Sequence, residues 1–181
     1  MRIGRGSNRS AGVVAMALLA MVATGGCAAQ PLPSQGSLLD DGAGHATVCV
    51  EASAEGYTFG AETLRNIGAA QVQITSISAI NERNVVLVDS FVIPVPEGSP
   101  VGSGSWPPSG PAVKDASLQS YAALVIPPAA TAPGTSYNLV IHVGKASVLP
   151  AGFDGLRINY TADDRQFFQD TTNALLIKQS C

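Results

Sequence analysis

Three cysteines, two histidines and two adjacent aspartate pairs are the residues of this 181-residue chain that invite a chemical reading. The cysteines are Cys27, Cys49 and Cys181, an odd count, so one of them needs a use other than an intrachain bridge. The histidines are His45 and His142, and no His-x-x-x-His or Cys-x-x-Cys spacing occurs. Zinc needs three or four converging ligands, and none are spaced for it, so neither a metal nor a cofactor is expected. Asp40-Asp41 and Asp163-Asp164 are neighbours in sequence; on a strand such residues point to opposite faces, so neither pair makes an acid/base couple by itself. Oxygen ligands for calcium are present, but without the spacing of an EF-hand loop. A Ser-His-Asp arrangement through His142 would have to be assembled by the fold, because no Gly-x-Ser-x-Gly elbow exists. No catalytic residue is assigned, and the chain is read as non-enzymatic.

The elements around these residues give them their meaning. Arg2, Arg5 and Arg9 precede an apolar, uncharged run from Ala11 to Ala23. Such a run is too short to cross a hydrocarbon core of roughly 30 Å as a helix, but it suits the h-region of a signal peptide. Thr24-Gly25-Gly26-Cys27 follows at once. This resembles the lipobox of bacterial lipoproteins, in which small residues precede a cysteine that is lipidated and becomes the new N-terminus. Thr24 departs from the aliphatic residue usual there. The resemblance implies a diacylglyceryl group, and palmitate, on Cys27, and a lipid-anchored protein on the extracytoplasmic face of the cell membrane. The alternative is a secreted protein cleaved after Ala29, with Cys27 discarded. If Cys27 carries lipid, Cys49 and Cys181 remain as one disulfide in an oxidising compartment, or as two free thiols.

Composition narrows the partners. Without residues 1–26, seven Lys and Arg face thirteen Asp and Glu, a net charge of −6. That acidic body lacks a basic run, so it has no electrostatic footprint for nucleic acid. Met1, Met16 and Met21 all precede Cys27, which leaves no Met-rich copper site. The Ala, Gly, Val and Pro bias, with the lipobox, resembles the small lipoproteins of actinobacteria.

Residues 1–26 are thus read as signal peptide, 27–44 as a lipidated N-terminus with a flexible tether, and 45–181 as the folded domain. The tether, AAQPLPSQGSLLDDGAG, would reach roughly 60 Å when extended. In the body, strands are expected at 46–52, 57–65, 71–80, 85–93, 121–126, 137–143, 156–161, around Phe167 and at 174–179. Tyr137, Leu139, Ile141 and Val143 alternate inward, with Asn138 and His142 outward and His142, like His45, solvated. Asn159-Tyr160-Thr161 matches a glycosylation sequon but reads as a strand with Tyr160 in the core. Leu64-Arg65-Asn66-x-Gly68 followed by Val72-x-Ile74-x-x-Ile77 resembles a pattern of bacterial immunoglobulin-like domains. Many short strands with turns between them and no sustained helical period predict an all-β fold, a two-sheet immunoglobulin-like β-sandwich. The Pro/Gly-rich segment Pro94–Lys114 is expected to be a loop dispensable for folding. Trp106 at its centre either contacts a partner protein or glycan, or folds back over one end of the sandwich. The function expected is a membrane-anchored, non-enzymatic binding or structural module of the cell envelope. An accessory subunit of an envelope transport, secretion or cell-wall complex is the alternative, and a hydrolase the remotest one.

Overall fold

Period-two alternation of apolar and polar residues buries one face of each strand. In a computed structural model, which describes residues 32–40, 42, 44–53, 55–96, 100–109, 113 and 119–181, this alternation produces a β-sandwich. The first strands are β1 (Ser34–Gln35), β2 (Leu39–Asp40), β3 (Thr47–Glu51), β4 (Tyr57–Asn66), β5 (Val72–Ile80), β6 (Leu87–Pro96) and β7 (Gly104–Ser105). After them come β8 (Gln119–Ser120), a 3-10 turn at Tyr121–Ala123, β9 (Val125–Ile126), β10 (Thr135–Val143), β11 (Ala151–Phe153), β12 (Gly155–Ala162), β13 (Arg165–Asp170) and β14 (Ala174–Lys178). One sheet has the order β1-β13-β12-β5-β9, and another the order β2-β4-β10-β6-β8 with β7 also on β4. A small third sheet, β11-β14-β3, closes the same core.

Ile74, Leu156, Ile158 and Tyr160 from the first sheet meet Phe59, Leu64, Leu139 and Ile141 from the second, with Leu175 and Ile177 from the third. Phe59 and Phe153 pack edge to face at 5.0 Å. The opposite face of β12 and β13 is solvated, and there Arg157 grips Asp170 through two bonds of 2.7 Å. This bidentate pairing holds the Asp170 carboxyl below its ordinary range. Asp163 and Asp164 both have positive φ, as a tight two-residue hairpin turn requires.

Within the span read as tether, Ser34–Gln35 and Leu39–Asp40 are strands. Leu39 is buried in the core, β1 runs parallel to β13, and β2 pairs with the end of β4, where Arg65 meets Asp40 at 3.3 Å. The Leu38-Leu39 pair supplies the apolar surface that holds this otherwise polar stretch to the body. The run 121–126, expected as one strand, is divided between the 3-10 turn and the two-residue β9. Strand β6 continues beyond Ile93 to Pro96. Its prolines stand where β10 is the single strand paired with it among the described residues, so their missing N–H groups leave no gap in a central ladder.

Candidate functional site

The second sheet is unusual in being covered on its outer face. The register between β10 and β4 places Leu139 opposite Glu62 and Ile141 opposite Phe59, so Gly60 and Ala61 together face Val140. Such a bulge disrupts the ladder and leaves backbone groups to be satisfied in another way. Asn138 does this: its Nδ2 donates to the Gly60 carbonyl at 3.0 Å and to the Glu62 carbonyl, and its Oδ1 accepts the Val101 N–H at 2.6 Å. Gly60 N–H donates to Ser103 Oγ at 3.2 Å, and Thr58 Oγ1 donates to the Ser105 carbonyl at 3.1 Å. A Cβ on Gly60 would lie 2.4 Å from the Gly102 oxygen, so the close approach of the two backbones requires glycine there. The segment 100–109 is thereby fastened over Ile93, Val95 and Val140, a second small core outside the sandwich.

Trp106 lies at the end of this strap. Its backbone N–H donates to the Gly56 carbonyl at 3.2 Å, and its ring stacks on His142 with centroids 4.0 Å apart and planes 10° apart. Phe91 lies nearly parallel to it at 6.1 Å. All three rings are half-buried. Trp106 therefore covers the outer face of β10 and β6 rather than an end of the sandwich. His142 points outward as expected, but it is not the solvated residue that alternation implied. Burial pushes its pKa down, and Asp89, opposite it across the ladder, pulls weakly the other way. Between the strap and β4 is a cleft of about 200 Å3, lined by Thr58, Val101, Ser103, Ser105 and Pro108 among others.

The remaining candidates are spread through the fold. Cys49 and Cys181 form a disulfide with Cα atoms 5.9 Å apart, joining β3 to the last residue, as their pairing predicted. Cys27 lies outside the described residues, as do residues 1–26 and Asp41. His45 is exposed. An open polar groove of about 680 Å3 runs past Gln71, Gln73, Thr161, Asp163, Asp164 and Gln166. Among the described residues, no three His, Cys, Asp or Glu side chains converge to hold a metal, and no helix is long and apolar enough to cross a membrane.

No family model and no curated protein matches this chain.

One acidic residue escaped sequence reasoning. Past the bulge the inward parity of β4 changes from odd to even positions, which turns Glu62 into the core. There Asn173 Nδ2 donates to Glu62 Oε2 at 3.0 Å, while Asn173 Oδ1 accepts the Ala46 N–H at 3.0 Å. A glycine in mid-strand marks such bulges, so Gly60 was the signal available.

Proposed function

We propose that the chain is an exported lipoprotein, anchored by a diacylglyceryl group on Cys27, whose body is a non-enzymatic binding module of the cell envelope. The observation that supports this reading is the Cys49–Cys181 bridge, which uses two of the three cysteines and leaves Cys27 alone, directly behind an apolar run. A closely fastened strap with an aromatic stack suits a surface that holds a partner protein or glycan better than one that turns over a substrate. The intact mass of protein extracted from native membranes tests the anchor. The chain is expected to begin at Cys27 and to exceed its polypeptide mass by a diacylglyceryl group, and Cys27→Ala is expected to abolish the addition. A mature N-terminus at Gln30 refutes the anchor. For the binding role, Trp106→Phe, which keeps the stack, is expected to retain a partner in a pull-down from those membranes, and Trp106→Ala to lose it.

A further inference from the structure

The chain enters the body at a fixed place. Ser34 lies beside Phe167 and Gln35 beside Phe168 in parallel register. Leu38 N–H donates to the Tyr160 hydroxyl at 3.3 Å, and the Leu38 carbonyl accepts the Ile67 N–H at 2.9 Å. A Cβ on Gly36 would meet that hydroxyl at 1.8 Å, and one on Gly68 would meet Leu38 at 2.8 Å, so both glycines admit the entering segment closely. The segment crosses one end of the sandwich. That end comprises the β12–β13 turn at Asp163–Asp164 and the connection from β4 to β5 at residues 67–71, because Gln73 near the start of β5 pairs with Thr161 near the end of β12.

Three exposed large hydrophobic residues belong to this end. Leu32 is 90% exposed, Ile67 56%, and Val125, paired with Gln73, 42%. Leu32 is five residues after Cys27, which is at most about 18 Å of extended chain and far less than a seventeen-residue tether would allow. Trp106 belongs to the other end of the ten-residue β4, about 30 Å away, where Ser105 pairs with Tyr57.

We propose that the end carrying Leu32, Ile67 and Val125 rests on a lipid bilayer surface, with the Trp106 stack presented away from it. The inference rests on the lipid anchor at Cys27. The end also carries the open polar groove with Asp163 and Asp164, beside Arg165, and among the described residues no basic cluster. The contact is therefore made by Leu32, Ile67 and Val125 around that groove and enforced by the short tether, and salt does not release it.

The test is tryptophan quenching in the full-length protein extracted from membranes and reconstituted into phosphatidylcholine vesicles that carry a spin-labelled or brominated phosphatidylcholine. Trp106 is the only tryptophan in the chain, so the unaltered protein reports on the far end directly. The expected result is no loss of emission in the unaltered protein, and a lipid-dependent loss in the Ile67→Trp variant that persists in high salt. Because Ile67 is exposed, this variant leaves the core intact, and circular dichroism checks that it does. Quenching of Trp106, or an unquenched Ile67→Trp in protein whose mass shows the lipid on Cys27, overturns the orientation and leaves the anchor standing. Absence of the lipid from Cys27 overturns the anchor and the orientation with it.

Discussion

His142 and Trp106 are joined ring on ring, so the state of one is read at the other. Burial under Trp106 disfavours the imidazolium and lowers the folded-state pKa of His142 below its ordinary value, with Asp89 a smaller opposing influence. The unfolded chain then binds more protons in the interval between the two values, and stability rises with pH through it. The stabilisation associated with a neutral His142 is complete above the ordinary histidine pKa and is lost as pH falls towards the lowered one. Trp106→Ala is expected to move the His142 midpoint, followed by NMR of the imidazole, upward and to flatten this pH dependence. It should also cost about 2 kcal/mol, less than a fully buried aromatic would. An unchanged midpoint would show that the ring is not what desolvates His142. Trp106 was conspicuous in the sequence, as a lone aromatic among Ser, Gly and Pro. Its partner was not, because alternation gives the direction of a side chain and says nothing of a distant loop lying over it. Glu62 was hidden for a related reason: the single extra residue at Gly60–Ala61 reverses the parity on which alternation depends.

The strap shows the same limit in a whole element. Composition marked Pro94–Lys114 as a dispensable loop, since prolines and glycines bury little apolar surface themselves. Its contribution lies in what it covers. Ile93 and Val140 are fully buried beneath it, and Asn138 spends its amide on the strap and the bulge together. Replacing residues 100–109 by a short Gly/Ser linker is therefore expected to destabilise the domain by about 4 kcal/mol, from exposed aliphatic surface and orphaned polar groups. Urea denaturation measures this, and a loss below about 1 kcal/mol would restore the dispensable loop. The long strands were legible because four or more alternating residues give a period; β1, β2, β7, β8 and β11 have two or three residues each and give none. They are set by partners elsewhere in the chain, as β2 is by the end of β4 and β7 by its start.

For the molecule as a whole, the sandwich architecture followed from strand spacing and the absence of a helical period, and the bridge from counting cysteines. Strand β3 runs parallel to β14 with Cys49 level with Leu176, and a bend at Gln179 beyond the end of β14 lets Cys181 reach Cys49. Because the bridge spans 132 residues, Cys49→Ser is expected to lower stability by up to about 5 kcal/mol in the chain-entropy model. Chemical denaturation measures that loss, and non-reducing peptide mapping of the unaltered protein should recover the Cys49–Cys181 link; free thiols at both positions would contradict it. The same pairing governs when the domain can fold. Strand β14 lies between β11 and β3, and its Leu175 and Ile177 are wholly buried, yet it comes last in chain order among the described strands. A chain emerging N-terminus first cannot complete its core until β14 has emerged. Its contact order is correspondingly high, which places folding among the slow β-topologies. Until β14 emerges, the growing polypeptide lacks a finished core, the condition in which a chain can still be threaded through a narrow pore.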